Sequence, residues 1–148
     1  MRVDRVSEQD LAKLLPLVRA YCDFYEATPS NDDLMALSRA LMADPEREGL
    51  QLIARDDDGN PVGFATIYWS WATTVARRIG VMNDLFVAPE ARGMGVAEAL
   101  IEACRAECAT RGAGKLTWQT APDNAAAIKV YERVGATREQ WVDYWLTI

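Results

Sequence analysis

Apolar residues recur every three or four positions from Asp10 to Tyr25, where Leu11, Leu14, Leu15, Val18, Tyr21, Cys22 and Tyr25 form one stripe. That spacing predicts an amphipathic helix, and Ser7 followed three residues later by Asp10 is a weak capping signal for its start. The break Thr28-Pro29-Ser30-Asn31 separates it from a shorter helix over Asp32 to Met42. Leu50 to Arg55 and Val62 to Trp71 read as strands. The turn formers Asp56-Asp57-Asp58-Gly59-Asn60-Pro61 between them predict a β-hairpin whose three aspartates are its solvated tip. Ile79 to Val87 is another run of strand length, closed by Pro89. From Gly95 to Arg111 the helical period returns, with Val96, Leu100, Ala103, Cys104, Glu107 and Cys108 on one side, so the two cysteines read as core thiols rather than nucleophiles. Lys115 to Thr120 predicts a short strand and Asn124 to Val134 a last helix, capped by Asp123 or Asn124 and ended by Gly135. Trp141 to Ile148 predicts a closing strand. Strand-helix-strand units require parallel pairing and the hairpin antiparallel pairing, so the pattern predicts an α/β chain built on a mixed sheet.

At 148 residues the chain has the size of one domain, and 1–148 is read as a single unit. The charged start Met1-Arg2-Val3-Asp4-Arg5-Val6 lacks the apolar run of a signal peptide, and no stretch approaches the ~18 apolar residues of a membrane span. A cytoplasmic protein with no membrane partner is expected. Cys22, Cys104 and Cys108 cannot all pair internally and lack zinc-site spacing, so reduced thiols and no metal are expected. Histidine is absent, which removes Ser-His-Asp and Cys-His catalysis and leaves carboxylate, lysine, tyrosine or relayed water for proton transfer. The net charge of −6 is uneven: ten acids and three bases between Tyr21 and Asp58 give that segment −7. Such a field disfavours direct nucleic-acid binding and attracts cations, unless it is simply a solvated surface.

The informative segment is Leu85-Phe86-Val87-Ala88-Pro89-Glu90-Ala91-Arg92-Gly93-Met94-Gly95-Val96-Ala97, a strand that turns through glycines into a helix. Amides at a helix start have no intrahelical acceptor and meet the positive end of the dipole, which suits a phosphate or pyrophosphate. Glu98 occupies the place of the third glycine in the dinucleotide fingerprint, and no G-x-x-x-x-G-K-[ST] exists, so neither ordinary NAD nor ordinary ATP is indicated.

Arg92-Gly93-Met94-Gly95-Val96-Ala97 matches the [QR]-x-x-G-x-[GA] motif of the GNAT superfamily of acyl-CoA-dependent N-acyltransferases. Asn83 to Pro89 before it and Asp123 to Ala136 after it resemble that family's flanking motifs, in the same order. Asn83-Asp84-Leu85-Phe86-Val87 with Leu116 to Thr120 and Asp123-Asn124 looks most like the branch that acetylates polyamines and histone tails. The resemblance spans essentially the whole chain. It implies the GNAT fold, a mixed central β-sheet with a bulged central strand and about four flanking helices, and acetyl transfer from acetyl-CoA, the co-substrate, to a primary amine. Direct attack in a ternary complex is implied, since no cysteine occupies a motif position that would carry an acyl group.

The resemblance also assigns roles. Amides of Arg92, Gly93, Met94, Gly95, Val96 and Ala97 would hold the CoA pyrophosphate, and backbone groups of Phe86 and Val87 would meet the pantetheine and the thioester carbonyl. Asn124 is similar to an asparagine that contacts the cofactor arm, a role compatible with capping the last helix. Tyr131 aligns with the tyrosine that protonates the leaving thiolate, although Ala127, Val130, Tyr131 and Val134 also form a core stripe. For the general base, Asp84 stands against Asp23 or Glu26 acting through water, and Asp23 and Glu26 are expected to bind a cationic acceptor. The acceptor is a small-molecule or peptide amine, with a protein amine or an amino-bearing antibiotic as the alternative. A non-catalytic acyl-CoA sensor is the alternative from another class. Related members often dimerise, so a homodimer is expected.

Overall fold

The computed structural model describes residues 1–148. Five strands line up in the order β1 (Arg2–Arg5), β2 (Gly49–Arg55), β3 (Pro61–Ala72), β4 (Arg77–Val87) and β5 (Leu116–Thr117). The first four are antiparallel neighbours and β5 joins β4 in parallel, so the sheet is mixed as its pattern predicts. Helices α1 (Leu11–Phe24) and α2 (Asn31–Ala43) lie on one face, and α3 (Val96–Thr110) lies on the other. The short α4 (Ala125–Arg133) follows β5 and packs Val130, Tyr131 and Val134 against the α3 side.

Period-two alternation explains the two cores. Ala65, Ile67 and Trp69 of β3 pack with Val96, Leu100, Cys104 and Cys108 of α3, while Phe64 and Phe86 meet Leu11, Leu14, Val18 and Cys22 of α1. Strand β2 is buried along its whole length, because both of its faces are covered. Burial drives both thiols of α3 above the ordinary cysteine range, which agrees with their reading as core groups. Gly80 lets β4 approach α3 closely: a Cβ there would come within 2.5 Å of Cys108 Sγ.

Three features differ from the pattern read along the chain. Strand β1 was hidden in a charged terminus, because its four residues place arginine and aspartate where ion pairs take them up. Arg55, 9% exposed on β2, reaches Asp4 of β1 and Asp10 ahead of α1. The strand expected over Lys115 to Thr120 shortens to Leu116–Thr117. The closing strand expected over Trp141 to Ile148 is absent. Residues 137–148 form no regular element, and Trp141, Val142, Tyr144, Trp145, Leu146 and Ile148 are exposed. Their apolar positions do not alternate, so a strand there would need cover on both faces, and β5 offers only two paired residues beside it. No helix is long and apolar enough to cross a membrane.

Candidate active site

Two local irregularities open the sheet in one place. The register between β3 and β4 shifts after Thr66, which pairs with Asp84, whereas Ile67 pairs with Met82, so Asn83 is the extra residue of a bulge. Beyond that point β4 and β5 part. Only Gly80 and Val81 pair with β5, and the edge of β4 from Met82 to Val87 has no strand neighbour on that side. The bulge also settles the direction of Asp84. Phe86 faces α1 and Leu85 faces α3, so Asp84 points to the α1 side, while Met82 returns to the α3 core.

At the end of this open edge the chain turns through Gly93 (φ 77°) and Gly95 (φ 80°) into α3. A Cβ at either glycine would meet nothing within 4 Å, so packing does not demand glycine here; the left-handed backbone does, and open space lies above it. None of the amides from Gly93 through Ala97 donates to a protein acceptor. Five consecutive unpartnered N–H groups at the positive end of a fifteen-residue helix form an anion cradle. The Arg92 amide, by contrast, is spent on Pro89 O at 3.3 Å, and Arg92 Nε donates to Val87 O at 3.2 Å. That side chain ties the turn to the end of β4.

Asp84 is half-buried. Its carboxylate accepts from Asn83 Nδ2 at 2.9 Å and belongs to no ion pair of the chain. The Tyr21 hydroxyl lies 3.5 Å from Asn83 O. Burial first, and the Asp84 charge second, push the Tyr21 phenol far above its ordinary value, and the same two causes raise Tyr68 to about 12. Tyr131, half-buried on α4, stacks edge-on with Trp118 at 5.3 Å. Burial raises its phenol, an effect opposed by a hydrogen bond with Thr120 and reinforced by Tyr25. Asn124 caps α4, accepting from the Ala127 amide and donating to Thr120 Oγ1, each at 3.3 Å. Of the two capping candidates it is Asn124 that serves.

Asp23 and Glu26 stay outside this cluster, both exposed at the end of α1. With 100° per residue, Asp23 lies on the face opposite Tyr21 and Tyr25, and Glu26, at φ 53°, is already past the helix. The acidic segment is partly spent on structure. Asp32 and Asp33 occupy the first turn of α2, where Ser30 Oγ accepts from the Asp33 amide, and Glu46 pairs with Arg111. No group of three or more acidic or cysteine side chains could hold a metal. Tyr21, Tyr25 and Tyr68 were not marked by the sequence as site residues, because the first two belong to the apolar stripe of α1 and Tyr68 to a hairpin strand. The one available signal was parity: Tyr68 shares a face with Thr66, which pairs with Asp84.

The acetyltransferase (GNAT) family pattern matches residues 14–136. An uncharacterised N-acetyltransferase, YhfO of Bacillus subtilis (strain 168), is 30% identical over 149 residues, covering 100% of this chain and 98% of that protein. Thialysine N-epsilon-acetyltransferase of Bos taurus is 25% identical over 144 residues, covering 90% and 82%. Among solved structures, a probable acetyltransferase superposes with a TM-score of 0.87 at 27% identity, covering 100% of this chain and 98% of the other. A bulged strand, an open sheet edge and an unpaired amide cradle thus coincide with a pattern match over most of the chain, which belongs to the GNAT family of acetyltransferases and is an acyl-CoA N-acyltransferase.

Proposed function

We propose that the protein transfers an acetyl group from acetyl-CoA to a cationic primary amine by direct attack in a ternary complex. The observation that carries this reading is the run of unpartnered amides from Gly93 to Ala97 beside the open edge of β4, with Asp84 and Tyr131 available at the bulge and beyond it. The amides hold the pyrophosphate, with Arg92 bracing their turn through Val87. The edge of β4 around Phe86 and Val87 receives the pantetheine arm and aims an N–H at the thioester oxygen, where negative charge grows as the amine attacks. Asp84 takes a proton from the acceptor ammonium, so that the nitrogen has a lone pair to donate. Tyr131 gives a proton to the departing sulfur. Its raised phenol stays protonated at neutral pH, and a thiol that ordinarily ionises near 8.5 can keep that proton. Asn124 fixes the start of the Tyr131 helix.

Asp23 and Glu26 contribute a negative field at the rim and steer a cation toward Asp84. The acceptor class resembles that of polyamines and lysine side chains; the bovine relative named for thialysine supports an amine acceptor of this kind. A homodimer belongs to the same proposal, and its support is the apolar tail that a single copy leaves exposed. Thiol release from acetyl-CoA with a panel of amines tests the reaction, and calorimetry with CoA tests the cradle. Gly95→Glu, which adds bulk and a like charge, abolishes CoA binding in a folded protein; an unchanged affinity removes the cradle from the proposal.

A further inference from the structure

The chain has five tyrosines, and three of them, Tyr21, Tyr25 and Tyr68, stand on the α1 side of the sheet, to which Asp84 also points. Tyr21 and Tyr25 come from the end of α1 and Tyr68 from β3, positions that sequence separates by up to 47 residues. The Tyr21 and Tyr25 rings meet edge-on with centroids 5.0 Å apart, and Phe24 continues the row 5.1 Å from Tyr25. Tyr21 also rests against Phe64 and Phe86 of the sheet, at 5.7 and 6.3 Å, which fixes its ring beside the bulge. Tyr25 is 60% exposed and Phe24 66% exposed, so the row runs from solvent down to Asp84.

The electrostatics of this collar are one-sided. Asp84 is a half-buried carboxylate with no arginine or lysine to neutralise it; its protein partners are uncharged, the amide of Asn83 and the hydroxyl of Tyr21. The Tyr21 and Tyr68 phenols are held neutral by burial and by Asp84 itself, so they cannot offset its charge. What they add instead is aromatic and apolar surface beside that charge. A metal ion would need further carboxylates, and no group of three acidic or cysteine side chains is assembled here. An anion would be repelled. An alkylammonium ion answers every element: its charge meets Asp84, its methylenes meet the lining, and its polarised C–H groups meet the ring faces.

We infer that Tyr21, Tyr25 and Tyr68 form with Asp84 an aromatic collar that recognises organic ammonium ions at the acceptor end of the site. The inference rests on the acetyl-transfer reading and adds to it that the acceptor is selected by aromatic surface and one half-buried charge, toward which the exposed acids of α1 only steer it. Two consequences follow from the chemistry. A quaternary ammonium ion such as choline binds the collar and cannot react, because its nitrogen has neither a proton to lose nor a lone pair to donate. A neutral molecule of the same shape, 3,3-dimethylbutan-1-ol, gains only the apolar contacts.

The test is a titration of the whole protein with choline and with 3,3-dimethylbutan-1-ol, read by chemical shifts of the tyrosine ring protons, without any acetyl donor. Saturable choline binding at least tenfold tighter than the alcohol is expected. Tyr25→Phe keeps a ring face and leaves choline affinity within about twofold, whereas Tyr25→Leu weakens it by about five- to thirtyfold. Both variants change an exposed position, so the fold is not at stake. No saturable choline binding, parity between the two ligands, or an unchanged constant for Tyr25→Leu overturns the collar. Because no turnover is measured, its failure leaves acetyl transfer standing if amines still release thiol, and choline binding without amine-dependent thiol release overturns the transfer reading alone.

Discussion

In the proposed reaction two side chains share the proton transfer, Asp84 and Tyr131. Asp84 has no cationic side chain paired with it, and Tyr131 keeps its proton because burial disfavours the phenolate. Tyr131→Phe removes the acid while keeping the ring against Trp118; kcat is expected to fall by about 10²- to 10⁴-fold with acetyl-CoA affinity unchanged. A rate within about twofold of the parent would instead mark Tyr131 as a packed aromatic. The raised phenol also places the alkaline limb of kcat above pH 10, and that limb should vanish from the pH profile of Tyr131→Phe. The cysteines of α3 offer the contrasting case of residues whose chemistry burial suppresses. Cys22, Cys104 and Cys108 are all buried, so an aromatic disulfide reagent should titrate none of them in the native protein and all three after denaturation.

Helix α3 is fastened to the sheet where glycine replaces a side chain. Since a Cβ on residue 80 would collide with Cys108 Sγ, Gly80→Ala should cost about 1–3 kcal/mol in denaturant melts, and Cys108→Ala should recover much of that loss in the double variant. A double variant as unstable as the sum of its parts would place the strain elsewhere. This contact is invisible in the sequence, where the two residues stand 28 positions apart and each fits its own local pattern. Elements with an uninterrupted period were legible: α1, α2, the β2–β3 hairpin, α3 and α4 lie within a few residues of where their apolar spacing puts them. Strand β1 was not, because its alternation is too short to separate from a charged terminus. Residues 141–148 have strand composition without strand structure, since composition cannot say whether a neighbour exists to pair with. The cradle was legible because its requirements are local, two glycines between a strand and a helix. The tyrosines around Asp84 were not, because sheet register and the α1 crossing bring them together.

Charge distribution sets the pH window of the whole fold. Glu107, held by Arg5 and Arg111 against a desolvation cost, has its carboxyl depressed, as do Asp10, Glu8 and Glu98 through their own partners. Each contributes stability above the ordinary carboxylate range that is lost as pH falls below about 4. At the other end, Cys104, Cys108, Tyr21, Tyr68 and Tyr131 keep protons that the unfolded chain releases from about pH 8.5 for thiols and about 10 for phenols. The folded state binds more protons there, so stability should decline as pH rises, and thermal melts between pH 7 and 11 measure the slope. Salt acts on the rim instead. If the exposed acids steer the acceptor, its KM should rise with ionic strength across a Debye length of about 8 Å, while a salt-independent KM leaves Asp23 and Glu26 as solvated surface. The apolar tail, finally, has an optical consequence. Two of the five tryptophans, Trp141 and Trp145, stand in it with their indoles in water, whereas Trp69 is buried and donates its Nε1–H to Pro45 O at 2.8 Å. Trp71, outside the tail, is 67% exposed as well, so the red, readily quenched emission of a dilute sample has two sources, and in a Trp71→Phe variant the component that remains belongs to the tail. If a second copy covers the tail, that component should shift to the blue and escape iodide as concentration rises, which makes the chain its own fluorescent reporter of assembly.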